Sequence, residues 1–179
     1  MTHNSLERFV TAVRADWSPV SSTLVARCRA HLDALTASAV KESWLADLIA
    51  ERPATRELHR EPDSFVLLAH AERHGLYRPP HDHGRAWVVY GVHSGALEVG
   101  TYVKVDDRCG ERLVRREAVV LRPGEARAYL PGDIHDTLCL TNDALVFRFT
   151  ERDLRHEDQV EGQVTRFVER DGEWFAPAP

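Results

Sequence analysis

Residues 79–95 read PPHDHGRAWVVYGVHSG, which places two histidines one residue apart at the start of an apolar run. A Pro-Pro pair stiffens the chain before them, and Ser-Gly supplies a turn after the run. Side chains two residues apart on an extended strand point to the same face, so His81 and His83 are predicted to lie side by side. Two imidazoles at this spacing can bind one divalent metal ion, although an isolated pair also arises by chance.

A site with only two histidines binds metal weakly, so a third ligand is expected from elsewhere in the chain. His135 is the best candidate because it follows the turn PGDI (131–134) and opens the apolar run DTLCL. The pair and the later turn together favour a metal centre of His81, His83 and His135. The thiol of Cys139 is a weak candidate, since a thiolate would bias the site toward zinc.

The apolar pattern divides the chain into two parts. Residues 1–52 carry apolar residues at three- and four-residue spacing, which predicts helices. Residues 53–179 carry short Val-, Leu-, Phe- and Tyr-rich runs separated by turns, which predicts an antiparallel sandwich or barrel. No linker separates the two parts, so we expect one compact domain. The predicted strands are 64–70, 86–92, 96–105, 112–121, 126–130, 135–140, 144–150 and 163–170.

Composition excludes several classes of function. The 179 residues are 43% hydrophobic and 28% charged, with a net charge of -5, which argues against a general nucleic-acid binder. No apolar run approaches the roughly 20 residues of a membrane span, and the first residues do not resemble a signal peptide. Cys28, Cys109 and Cys139 are scattered and odd in number, so we expect a reducing, cytoplasmic location.

PPHDHG, WVVYGVHSG and PGDIH together resemble the two conserved segments of the cupin superfamily. Within it, residues 58–154 resemble the cysteine dioxygenase family of thiol dioxygenases. The resemblance implies a mainly β fold, a double-stranded β-helix (jelly-roll) barrel with the N-terminal α-helices packed on it. It also implies a three-histidine Fe(II) site at His81, His83 and His135, without excluding other divalent metals. Cupins often dimerise, so a monomer or a homodimer is expected.

The resemblance also bears on residues around the metal. General cupins add a glutamate ligand four or five residues after the second histidine, where this chain has Trp87 and Val88. Some family members have a cross-linked cysteine at the position of Val88, so this chain supplies neither group. Arg60 aligns with the arginine that holds the substrate carboxylate, although a solvated surface arginine is an equally good interpretation. The family's Ser-His-Tyr relay corresponds to Val146, Arg148 and Thr150. A permanent cation at Arg148 would favour an anionic substrate or stabilise an anionic intermediate.

Strand alternation suggests further residues that could face a substrate. Arg85 and Trp87 share parity with His83, and Tyr129 precedes the PGDIH turn. The two aromatic residues, Trp87 and Tyr129, could line a substrate pocket or fill the core.

Three functions remain open from the sequence. The leading prediction is an Fe(II)-dependent dioxygenase that uses O₂ on a small anionic substrate, with thiol acids such as cysteine or 3-mercaptopropionate as candidates. Arg60 and Arg148 would be its catalytic side chains. The second is a three-histidine dioxygenase that cleaves C–C bonds of a diketone or hydroxyketone. The third is a metal-containing cupin that binds a small ligand without turning it over.

Overall fold

The computed structural model describes residues 4–107 and 110–177, so Cys109 lies outside the described part of the chain. Three helices come first: α1 (Ser5–Asp16), α2 (Ser22–Thr36) and α3 (Ser43–Glu51). A short helix, α4 (Leu154–Gln159), follows the last long strand. The strands are β1 (Arg56–Arg60), β2 (Val66–Arg73), β3 (Tyr77–His81), β4 (Val88–Ser94), β5 (Leu97–Asp107), β6 (Gly110–Leu121), β7 (Glu125–Tyr129), β8 (Ile134–Cys139), β9 (Asp143–Thr150), β10 (Val168–Arg170) and β11 (Glu173–Phe175).

The strands form two antiparallel sheets. The first has the order β1-β2-β9-β4-β7, and the second has the order β10-β11-β6-β5-β8-β3. Without the flanking strands β1, β10 and β11, this is the strand order of an eight-stranded jelly roll. The predicted fold class, a mainly β jelly-roll barrel with N-terminal helices packed on it, is confirmed.

Both faces of the first sheet are buried, and alternation along each strand separates them. On β9, Leu145, Phe147 and Phe149 belong to the core that the sheet shares with the helices. Val146, between them, faces the barrel interior together with Val88 and Tyr90 of β4. Because successive side chains point to opposite faces, the same strand both anchors the helices and lines the barrel.

The helices begin and pack as their sequences predict. Asn4 caps α1: its side-chain oxygen accepts a hydrogen bond from the Glu7 backbone at 2.8 Å, and the Glu7 carboxylate accepts one from the Asn4 backbone. This reciprocal pair satisfies two backbone donors that the first helical turn leaves free. Phe9 and Val13 are among the buried residues of the apolar stripe.

Four short elements were not predicted from the sequence, namely β1, β3, β11 and α4, and the strand expected at 163–170 is shorter. β3 contains two prolines, and because proline is rare in strands this segment was not predicted as one. The prolines are tolerated because β3 is the edge strand of the second sheet, where a missing N–H breaks no ladder hydrogen bond. The six-residue helix α4 is too short to show helical periodicity, and it depends on the cap that Asp153 provides to Arg155.

Candidate metal centre

Three histidines meet where β3 ends and β8 begins. His81 is the last residue of β3 and lies directly opposite His135 in the antiparallel ladder. The ring of His83 reaches the same point, 5.1 Å from the His81 ring and 4.8 Å from the His135 ring between centroids. One nitrogen from each imidazole lies within 4.8 Å of the other two. This grouping could hold a metal ion.

His83 reaches the cluster from a loop, which corrects the expectation that both histidines project from one strand. β3 stops at His81, and residues 82–87 turn before β4 begins. The Asp82 carboxylate accepts hydrogen bonds from the backbone of Gly84 at 3.0 Å and of Thr165 at 2.8 Å. These bonds position His83 beside the strand end.

The hydrogen bonds of the rings leave nitrogens free for a metal. His81 Nδ1 donates to the Pro79 carbonyl at 2.8 Å, so its Nε2 carries the lone pair. A backbone carbonyl on the far nitrogen is the usual support of a metal-binding histidine. Both ring nitrogens of His135 are buried without a hydrogen-bond partner. Because an unpartnered buried polar group is costly, His135 fits the role of a ligand that a metal would satisfy.

Burial keeps the imidazoles in the form that binds metals. Desolvation lowers the pKa of His81, and the cations of Arg148, Arg166 and Arg78 lower it further. Desolvation and the neighbouring histidines hold the pKa values of His83 and His135 well below the ordinary value. The rings are therefore neutral at physiological pH, as metal ligation requires.

A cavity of about 450 Å³ opens onto the cluster and is rich in arginine. Arg148 reaches it from β9, and its buried Nε has no hydrogen-bond partner. Within residues 4–107 and 110–177, no ion pair involves Arg148, and the nearby Glu72 carboxylate is engaged by Arg78. Arg166, also in the wall, is paired with Asp158 at 2.6 Å. Within the described part of the chain, Arg148 thus presents a cation without an ion-pair partner beside the histidines.

Two tyrosines pack against the histidines. The ring of Tyr129, a predicted substrate-facing residue, lies 4.4 Å from the His135 ring, and its hydroxyl is buried without a partner. Tyr90, which sequence reasoning missed, places its hydroxyl 3.4 Å from His83 Nε2. Its parity with Val88 and Val92 on β4 was the available signal, since all three belong to the interior cluster.

Four of the five predicted substrate-facing residues do not line this cavity, which differs from the prediction, namely Arg60, Arg85, Trp87 and Tyr129. Tyr129 lines a different pocket. Arg60 bonds to Glu57 and to Asp153, the latter at 2.6 Å, and lines a separate groove of about 990 Å³. Arg85 binds the buried Glu157 carboxylate in the same groove. Trp87 is 1% exposed and packs among the helix-facing aromatic residues. The prediction for Arg85 and Trp87 assumed the alternation of a strand, and it was wrong because residues 82–87 form a loop.

The other two positions that resemble the thiol dioxygenase relay lie close to Arg148. Val146 belongs to the interior cluster, and Thr150 is 1% exposed with its hydroxyl 3.4 Å from the Val66 carbonyl. Val88 is also interior and supplies neither a carboxylate nor a thiol. Arg148 is therefore the one polar group of these four positions that lines the cavity.

Comparisons with known proteins find similar structures but no sequence relatives. No protein-family model and no curated protein matches the chain. KdgF from Halomonas sp. superposes with a TM-score of 0.44 and 22% identity, covering 55% of this chain and 76% of that one. The Cnp3 cupin domain of Schizosaccharomyces pombe gives 0.45 and 12%, covering 60% and 69%. A cupin-2 domain protein from Shewanella frigidimarina gives 0.47 and 14%, covering 60% and 91%.

The strand order and the histidine group together define a jelly-roll barrel with a candidate metal centre. Among the described residues, no helix combines the length and the apolarity needed to cross a bilayer.

Proposed function

We propose that this protein is an Fe(II)-dependent dioxygenase that acts on a small anionic acid, with thiol acids such as cysteine and 3-mercaptopropionate as the first candidates. The observation that carries the proposal is the unpaired guanidinium of Arg148 beside three neutral imidazoles. The three neutral imidazoles cancel none of the positive charge of the metal. An anion that reaches this cavity would therefore meet two cationic partners.

Different residues would bind the metal and the acid. His81, His83 and His135 would hold the metal, which would supply activation of O₂ and of a bound substrate at its open positions. Arg148 would bind the carboxylate, since the planar guanidinium fork suits that group. Desolvation strengthens such a charge-assisted hydrogen bond. The cavity volume of about 450 Å³ suits a small molecule.

Oxygen uptake by the anaerobically iron-loaded protein tests the activity. Cysteine, 3-mercaptopropionate and other small chelating acids form the panel, and we expect at least one to consume O₂. Metal-dependent binding of an acid without O₂ uptake by any member would show a ligand-binding protein instead.

The variant Arg148→Gln tests the role of the arginine. We expect binding of the active acid to weaken about ten- to hundred-fold, the loss associated with a hydrogen bond to a charged group. Arg29→Gln removes an exposed arginine of α2, paired with Asp33, and serves as the matched control. Arg60→Gln changes the other arginine that the sequence predicted to bind the substrate, and it should leave the affinity for the acid near the wild-type value. Weakening by Arg60→Gln, with Arg148→Gln unaffected, would contradict the proposal.

A further inference from the structure

Among the described residues, Tyr90 is the one side chain outside the histidine group that lies within hydrogen-bond distance of a ring nitrogen of the three histidines. Its hydroxyl lies 3.4 Å from His83 Nε2, and the residue is 6% exposed. We propose that Tyr90 is a fourth ligand of the metal centre, binding through its phenolate oxygen. The inference concerns the metal centre alone and does not depend on the reaction proposed above.

The separation between the two atoms is long for a hydrogen bond and is compatible with shared coordination of one metal ion. Hydrogen bonds to nitrogen or oxygen mostly span about 2.7–3.2 Å between heavy atoms. Two ligand atoms about 2.0–2.1 Å from one tetrahedral metal lie roughly 3.3–3.4 Å apart. The 3.4 Å between Tyr90 Oη and His83 Nε2 matches the edge of such a site.

The position of Tyr90 is held by the fold. It lies in the middle of β4, which is hydrogen-bonded to β7 on one side and to β9 on the other. Its ring packs at 5.5 Å from the ring of His135, another candidate ligand. Across the ladder its partner is Arg148, so both side chains lie on the interior face. A central strand keeps the hydroxyl beside the histidines without relying on a mobile loop.

The chemistry of the ligand set also favours a phenolate. The potential metal group contains three histidines and no carboxylate or thiolate within residues 4–107 and 110–177. Tyrosine oxygen is an established type of iron ligand in proteins. Forming the metal–oxygen bond breaks the phenol O–H bond, and the proton leaves to solvent as metal binding requires. The centre would then have one anionic and three neutral ligands, so a divalent ion there would keep one unit of positive charge and would still attract an anion.

Tyr129 provides a matched control inside the same barrel. It is buried, its ring lies 4.4 Å from that of His135, and 6.0 Å separates it from the Tyr90 ring. Its hydroxyl is buried and has no hydrogen-bond partner among the described residues. Tyr129→Phe and Tyr90→Phe therefore remove the same atom from two tyrosines of similar burial, and of the two hydroxyls only that of Tyr90 lies within hydrogen-bond distance of a ligand nitrogen.

The visible absorption spectrum of the Fe(III)-loaded protein tests the proposal. Phenolate-to-Fe(III) charge transfer produces a broad visible absorption band, which we expect in the wild type and in Tyr129→Phe. At equal iron content per chain, Tyr90→Phe should lose the band. Its affinity for Zn²⁺, a redox-inactive probe, should fall at least about ten-fold, since even outer partners of a metal ligand have effects of that size.

Two outcomes would overturn the assignment. One is iron-loaded wild-type protein without the band, and the other is a band that persists in Tyr90→Phe. The first does not depend on whether the variant folds, and circular dichroism checks folding for the second. The band without O₂ uptake would refute the proposed reaction only, whereas O₂ uptake without the band would refute the Tyr90 ligand only.

Discussion

At the scale of single residues, His135 is a candidate metal ligand whose burial lowers the stability of the metal-free protein. It is fully buried, and both its ring nitrogens lack a hydrogen-bond partner. A buried donor or acceptor without a partner costs about 1–3 kcal/mol. No packing requirement explains a histidine there, because an apolar side chain of similar size would avoid this cost. The metal-binding role supplies the missing partner.

The metal-free variant His135→Leu should therefore be more stable than the metal-free wild type. We expect its free energy of unfolding to rise by about 1–3 kcal/mol, because the unpartnered polar atoms are removed. Urea denaturation in the presence of a chelator measures the change. His93→Leu is the control: it removes a histidine that donates to the Thr36 carbonyl at 2.8 Å, so it should destabilise the protein. Destabilisation by both variants would contradict the expectation.

At the scale of elements, the contact between α2 and β4 couples the helices to the strand that carries Tyr90. Gly91 makes this contact possible, since a Cβ there would lie 2.8 Å from Thr36 Cγ2 and 3.1 Å from Leu32. These distances are shorter than van der Waals contact. The missing side chain at Gly91 therefore lets α2 lie close to β4 at this point.

Gly91→Ala should force the helix away from the sheet and destabilise the protein by about 1–3 kcal/mol, the usual cost of overpacking. Thr36→Ser removes the methyl group nearest the new Cβ and keeps the hydroxyl that donates to the Asp33 carbonyl. The double variant should recover part of the lost stability, and a double-mutant cycle from urea denaturation measures the coupling. Strict additivity of the two changes would show that the contact is not responsible.

At the scale of the whole molecule, buried neutral histidines make stability depend on pH. Burial lowers the pKa of His70 from 6.5 to about 3, and the cations of Arg148 and Arg78 add to the shift. Between these pH values the unfolded chain binds a proton at this residue and the folded protein does not. Stability is therefore lost as the pH falls below about 6.5.

His70→Asn should reduce this acid sensitivity. His70 contributes a loss of about 2 kcal/mol between pH 7.5 and pH 5 in the wild type, and the variant lacks this contribution. The three histidines of the candidate metal centre have lowered pKa values too, so the difference between the two proteins isolates His70. Urea denaturation of metal-free protein at both pH values measures it. Equal losses in the two proteins would contradict the prediction.

The sequence by itself determined the barrel and the three histidines. Alternating apolar runs can bury a sheet face in only one register, so the strands that carry them were predictable. The HDH and PGDIH segments stand at strand ends, and β3 and β8 pair so that His81 faces His135. The positions of the histidines and the apolar pattern of the strands are both visible in short segments of sequence. These predictions therefore did not need the structure.

Only the tertiary structure decided which other side chains accompany the histidines. Arg60 is drawn to Glu57 and Asp153, and Asp153 is distant in sequence. Arg148, which the sequence already predicted to face a substrate, reaches the cavity, whereas Tyr90 was not predicted and comes beside it because β4 pairs with β9. Whether an arginine meets a carboxylate or stays unpaired depends on residues brought together by strand pairing. That information is absent from the local sequence, since such contacts form between segments far apart along the chain.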